Sequence, residues 1–540
     1  MIMKNKFVQA GWKTCGLLFI LLLPGFSAGA QNGFSPADKF AWSLNYIKRY
    51  YVDSVNSGKL VEDAIVKILE ELDPHSSYLT PEEVKEMNEP LQGNFEGIGV
   101  SFNILNDTIL VINPVPGGPS EKLGIKAGDK IIKINAQLVA GIGITNKGVF
   151  DKLRGPKGTV VTVSIKRSGS PELLDFTITR DKIPINSLDA AYMIDDGVGY
   201  IKLSRFAQTT NTEFLEAMDR LKKQNAKKNE KMNSLILDLS GNGGGYLEEA
   251  IELADQFLSA GKLILYTEGL NSPRTEYDAT DKGIFEKGNL IIIIDESSAS
   301  ASEILTGALQ DWDRAIIVGR RSFGKGLVQR PFPLPDGSML RLTVARYYTP
   351  TGRLIQKSYK KGFEAYENDL LSRYNHGEFI SADSIHFADS LKYFTLEKHN
   401  PVYGGGGIMP DIFVPLDTSG YSTFYRDLVR QGTLNRFVLN YVDQNRQSLE
   451  KLYPDFDAYR DKFEITDDIF SQLLAFAEKD KLKASQKDLQ ASGKEIRMLV
   501  KAYIARDMWN MSEFYEIYNK DDNTVRKAVY VMKNWAKFSH

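Results

Sequence analysis

The segment Ser297-Ser298-Ala299-Ser300-Ala301-Ser302-Glu303 directly follows the apolar run Ile291–Ile294 and precedes a helical stretch, Ile304–Gln310. A serine at such a turn presents its hydroxyl at a helix N-terminus, where backbone N–H groups and the helix dipole favour negative charge. The same donors can hold the oxyanion of an acyl-transfer intermediate. Ser300-x-x-Glu303 equally fits a capping box, which needs no catalysis, and on this segment alone both readings stand. Further on, Arg321-Ser322-Phe323-Gly324-Lys325-Gly326-Leu327-Val328-Gln329 sets a lysine between two glycines at the mouth of a predicted strand. In an extended chain Lys325, Leu327 and Gln329 point to one side, so Gln329 can hydrogen-bond the amine and orient it. A lone lysine in a glycine-rich loop is ordinarily a solvated charge, and the spacing is not that of a P-loop. The third candidate is Asp238-Leu239-Ser240-Gly241-Asn242-Gly243-Gly244-Gly245, again after an apolar run. Its glycines permit close backbone approach to a ligand. A flexible turn reads the same way, while the G-x-G-x-x-G order of a dinucleotide site is absent.

Histidine narrows the chemistry. None lies between His75 and His376, so a Ser-His-Asp triad would have to recruit its imidazole from outside this region. If Ser300 is a nucleophile, its base is then a lysine. To work near neutral pH that amine must fall from ~10.4 to near 7, which burial and neighbouring charges must supply at about 4 kcal/mol. Flanking glycines with apolar Phe323 and Leu327 suit a tight, dry site.

The elements that position these residues are readable from periodicity. Ser234–Leu239 and Leu290–Ile294 are near-continuous apolar runs, which predicts strands covered on both faces. Each leads through a glycine- or serine-rich turn into a helical pattern, so residues 190–355 read as α/β, with functional groups at strand-to-helix turns. Residues 34–90 read as a helical lead-in, with a stop at Asp73-Pro74 and a new start at Thr80-Pro81. From Gly93 to Lys182 the chain changes to short β-branched strands broken by Gly and Pro, a small β-rich module. Residues 358–400 are polar and read as a surface insertion, and after Asp417 the pattern is helical to the end.

At 540 residues the chain exceeds one core. A net charge of -2 supplies no basic field for nucleic acid. Near the N-terminus Lys4, Lys6 and Lys13 precede the apolar run Gly16–Leu23, then Pro24 and the small residues Ala28-Gly29-Ala30, the layout of a cleavable export signal. The run falls far short of the roughly 20 residues of a membrane span. Cys15, the only cysteine, precedes it, so a mature chain would carry no disulfide, thiol nucleophile or thiolate metal site.

Taken together, S-A-S-E at Ser300–Glu303 and F-G-K-G-x-x-Q at Phe323–Gln329, with Lys325 lying 25 positions after Ser300, resemble the C-terminal processing peptidases, or tail-specific proteases. The resemblance implies a multidomain α/β protein: a ClpP/crotonase-like serine peptidase core with an inserted PDZ domain and helical N- and C-terminal regions. It implies Ser300 as nucleophile, Lys325 as general base and Gln329 as the residue orienting it, with an oxyanion hole from the N–H groups of Ala301 and Gly244. It makes Gly97-Ile98-Gly99-Val100 the loop that holds a substrate's terminal carboxylate. The implied layout is a signal peptide over 1–30, a helical region over 31–92 and a PDZ domain over 93–182. A peptidase core then runs over 183–418 with a polar insertion at 358–403, and a helical region over 419–540. Cofactors and metals are not called for. The implied partners are exported, unfolded polypeptides with free C-termini, on the periplasmic side, with room for a lipoprotein adaptor and for self-association through the helical ends. The Gly-rich loop departs from the family pattern at Ser240, where arginine is usual, and at Gly243, where proline is usual. The alternative is an inactive PDZ-containing scaffold of the same fold, against which the joint presence of Ser300, Lys325 and Gln329 argues.

Overall fold

The computed structural model describes residues 34–226 and 231–539, so the export-signal pattern and Cys15 lie outside the described residues. Residues 34–65 fall in a unit of their own. Its helix Pro36–Tyr50 begins where the sequence favours a start, with Ser35 and Asp38 forming a reciprocal capping box ahead of Pro36, and it buries none of its residues.

In the larger unit the helix Pro81–Gln92 starts at the Thr80 cap, with a capping box to Glu83, and stops at Gly93. The expected helical lead-in also contains a strand, Ser77–Leu79, which pairs antiparallel with Met339–Arg341. Periodicity cannot reveal a partner that distant. The Asp73 carboxylate fixes the approach, accepting from His75 N, Ser76 N, Ser76 Oγ and Thr343 Oγ1.

The β-rich module is a sheet in the order Val100–Leu105, Thr108–Pro114, Lys130–Ile134, Val160–Lys166, Leu174–Thr179. Fully buried Ile109, Ile131, Ile165 and Ile178 fill its interior beside the helix Asn146–Leu153, which contributes Val149 and Leu153. Val100–Leu105 is an edge strand, and among the described residues no second strand pairs with it.

The α/β region holds a six-stranded sheet: Leu188–Asp195, Val198–Leu203, Ser234–Asp238, Asn289–Ile294, Ile316–Gly319 and Ile412–Phe413. The first pair is antiparallel and the rest are parallel. Helices Thr210–Ala226, Leu247–Asp255 and Ala301–Asp311 cover one face. The other face buries Tyr200, Ile236, Ile291, Ile293 and Val318 under Val525, Ala528, Val531 and Met532 of the helix Asn523–Lys533. Part of what reads in sequence as a helical tail is thus the second layer of the core, the cover that strands apolar on both faces require. The remaining C-terminal helices enclose an apolar core of their own around Phe437, Leu473, Ile496 and Val500.

A second sheet joins Ser77–Leu79, Met339–Tyr348, Leu263–Gly269 and Ser272–Asp278, with Leu327–Pro333 also on Met339–Tyr348. The polar stretch expected as a surface insertion is tied down. Tyr366 and Arg373 are buried, and the Arg373 guanidinium donates to the carbonyls of Ser322 (3.0 Å) and Arg321 (2.7 Å). Its polarity serves the backbone of the loop beneath it. Among the described residues no helix is long and apolar enough to cross a membrane.

Candidate active site

Three turns meet at the carboxyl ends of neighbouring parallel strands, after Asp238, Ile294 and Gly319, the crevice where open α/β sheets bind ligands. Ser300 caps the helix Ala301–Asp311 with φ 55° and ψ −112°, a conformation few non-glycine residues adopt. Its neighbours explain the other serines. Ser298 Oγ donates to Leu239 O (2.8 Å) and Ser302 Oγ to Asn242 O (2.9 Å), both buried and both structural. The half-exposed Ser300 hydroxyl makes no cap hydrogen bond.

Glu303 does more than cap. It is only 1% exposed, and four donors converge on it. Oε2 accepts from Ser300 N (2.9 Å) and Lys325 N (2.8 Å), and Oε1 from Ser322 Oγ (2.5 Å) and Gly324 N (2.7 Å). One carboxylate therefore locks the serine turn to the lysine loop. Burial pushes this carboxyl above its ordinary value, and the four donors pull against that. From the opposite side the buried Tyr347 hydroxyl reaches Lys325 O at 2.7 Å and Ser300 O at 3.2 Å. Neither role is visible in sequence, because a capping glutamate and a strand tyrosine carry the same letters whatever they touch.

Lys325 Nζ donates to Gln329 Oε1 (2.9 Å), and Gln329 Nε2 donates to the His75 carbonyl (2.5 Å), which fixes which end of the amide faces the amine. The pair expected from the strand spacing is formed. Among the described residues no hydrogen bond joins Lys325 Nζ to Ser300 Oγ; in this state the amine rests on Gln329. Burial, then the charge of Arg341, pushes Lys325 down to about 8, against Glu303 and Asp73. The lead-in does bring a histidine close to Lys325. The His75 imidazole bonds to the Tyr366 hydroxyl (2.7 Å), and burial and Lys325 push it down to about 4, so it is neutral.

The Gly-rich loop lies against the serine turn. A side chain at Gly244, whose φ is 101°, would meet Ala299 O at 2.8 Å and Ser300 Cβ at 2.9 Å, so only glycine fits. Ala301 N stands 3.0 Å from the same point, at the first helical position, where an N–H has no intrahelical acceptor. The Gly244 N–H itself donates to Oδ1 of fully buried Asn242 (2.9 Å).

In the β-rich module Ile98 is buried, and its carbonyl accepts from Ser120 N (3.1 Å) and Ser120 Oγ (2.6 Å), while Gly99 takes φ 74°. Gly97 and Val100 flank this turn and lead into the open-edged strand. The rings of Phe102 on that strand and Phe150 on the helix Asn146–Leu153 meet edge-on, 5.5 Å apart.

The sequence matches the model of peptidase family S41 over residues 197–364 and that of the PDZ domain over 86–166. Residues 424–510 match a family of unknown function. The chain is 36% identical over 356 residues to a carboxy-terminal-processing protease of Bartonella bacilliformis, spanning 66% of this chain and 81% of that one. It is 34% identical over 358 residues to the carboxy-terminal processing protease CtpA of Bacillus subtilis, spanning 66% and 74%.

Proposed function

The chain belongs to peptidase family S41, among the carboxy-terminal processing proteases, as a serine-type peptidase with a PDZ domain, and from that premise we propose that Ser300 is its nucleophile, Lys325 its general base and Gln329 the residue that orients the amine. The observation that carries this reading is the single Glu303 oxygen accepting from both Ser300 N and Lys325 N, with the amine of Lys325 held on Gln329. The neutral amine swings from Gln329 to Ser300 Oγ and takes its proton as Oγ bonds to the scissile carbonyl carbon. Ala301 N–H and Gly244 N–H hold the resulting oxyanion, Gly244 exchanging Asn242 for it. The ammonium passes its proton to the leaving amine, which departs and leaves an acyl group on Ser300. Water then gives a proton to the amine as it attacks the acyl carbon, and the ammonium returns that proton to Ser300 Oγ as the acyl–oxygen bond breaks, which restores the serine and the neutral lysine.

The pH dependence follows in sign. The base works unprotonated, so kcat/KM is expected to rise about tenfold per pH unit below an inflection near 8 and to level above it. His75, pushed down to about 4, does not supply that limb. Arg341→Met removes a like charge beside Lys325 and should move the inflection upward. An inflection near 6, indifferent to Arg341, would remove Lys325 from this role.

Substrate is captured as an added strand on Val100–Leu105, its carboxylate held by the N–H groups of Gly97–Val100. Two peptides differing only in a free or amidated C-terminus test this. Charge-assisted hydrogen bonds of about 1.5–3 kcal/mol favour the free acid by roughly ten- to a hundredfold in kcat/KM. Equal turnover of both peptides rejects terminal capture. The basic, then apolar, N-terminal layout supports export of the chain, with exported polypeptides as substrates.

A further inference from the structure

We infer that Lys202 is a positioning residue for the Gly-rich oxyanion loop, and that the C-terminal helical region completes its socket through Tyr515 and Asn519. The inference rests on the Ser300 reading above. Lys202 is 6% exposed, on the strand Val198–Leu203. Its ammonium donates to Ser240 O (2.5 Å), Ser240 Oγ (2.7 Å) and Asp238 Oδ1 (3.1 Å). Beyond this contact the same segment templates the rest of the loop. Leu203 O accepts from Asn242 Nδ2 (2.9 Å), Phe206 N donates to Gly244 O (3.0 Å), and Tyr246 N donates to Phe206 O (2.9 Å). Residues 202–206 thus hold the start, middle and end of a loop whose glycines give it little stiffness of its own. Within that template the lysine contributes a charged side chain to the loop itself, at Ser240 and Asp238.

Behind the ammonium, buried hydroxyls lead into the last helices. Tyr200 Oη donates to Asp238 Oδ2 (2.6 Å), and its ring lies 5.1 Å from that of Tyr192. Asn519 Nδ2 donates to Tyr192 Oη (2.9 Å), and Lys202 Nζ stands 5.9 Å from the Tyr515 ring centre. Lys202, Asp238 and Ser240 border a cavity of about 640 Å³ that Ser300, Ala301 and Gly244 do not line, so the lysine works from the rear of the loop, away from substrate. A buried ion pair adds little net stability, and its best-attested use is to fix geometry. Here it fixes the carbonyl at the start of the loop that ends at Gly244.

The test uses Lys202→Met in the full chain, with Lys202→Arg beside it. Lys202→Met should lower kcat about ten- to a hundredfold with KM within about twofold, since one oxyanion donor is worth about 10²–10³ and the loop is displaced rather than deleted. The Ki of a peptidyl aldehyde, whose hemiacetal on Ser300 carries an oxyanion, should weaken by the same factor, and Lys202→Arg should recover most of both. Unchanged kcat and Ki overturn the inference, as does a kcat loss with an unchanged aldehyde Ki. If Lys202→Met does not fold, Tyr200→Phe, which deletes one hydroxyl from Asp238, decides by the same pair of measurements, with a smaller loss expected. Ser300→Ala separates the layers. An active Ser300→Ala enzyme sinks the nucleophile assignment, whereas an inactive one beside an unaffected Lys202→Met enzyme sinks only the present inference.

Discussion

Ser300→Ala and Lys325→Ala are each expected to lower kcat on a peptide substrate by about 10⁴-fold or more, and the double variant to be no worse than either single one. The two side chains act as one unit: a hydroxyl without a base is a poor nucleophile, and an amine without the hydroxyl has nothing to activate. What survives is the residual effect of binding and the oxyanion donors. Neither change should unfold the protein. Ser300 is half-exposed and its hydroxyl makes no cap hydrogen bond, so its loss should change stability by less than about 1 kcal/mol. Steady-state kinetics on the three variants, with thermal melts as control, would read the result. Substantial turnover by any of them refutes the dyad.

Glu303→Gln should produce the second-largest loss, about 10²-fold in kcat, although the residue touches no substrate. Its two oxygens accept four protein donors. An amide turns one oxygen into a donor, so two N–H or O–H groups meet an N–H₂ in a buried site. At about 1–3 kcal/mol for each unpaired group, a destabilisation of about 2–6 kcal/mol follows, read as a lowered denaturant midpoint. The pH profile carries a signature that mere loosening would not. The Glu303 charge holds the Lys325 pKa up, so removing it should move the inflection to lower pH. A variant with native kcat and an unmoved profile would show that the carboxylate locks nothing that matters.

The site was legible in sequence wherever chemistry and a strand end coincide. Ser300 and the Gly-rich loop each follow an apolar run, Lys325 stands at the mouth of a predicted strand, and the two-residue step from Lys325 to Leu327 to Gln329 foretold the amine–amide bond. Contacts made by backbone atoms or by dual-purpose residues were not legible. The His75 carbonyl that orients Gln329 has no residue signature, and its strand pairs with a segment far along the chain. Glu303 looks like any capping residue. Arg373 sits in a stretch whose polarity signals solvent, yet its donors are spent on the carbonyls of Arg321 and Ser322. The helix Asn523–Lys533 was recognisable as a helix, but no pattern within it says which apolar surface it covers.

That last helix sets a timetable for assembly. The sheet it roofs begins at Leu188, so during synthesis its strands emerge with one greasy side bare, and that side waits for residues 523–533 to arrive. Such late closure slows folding and lengthens the interval in which chains stick to one another.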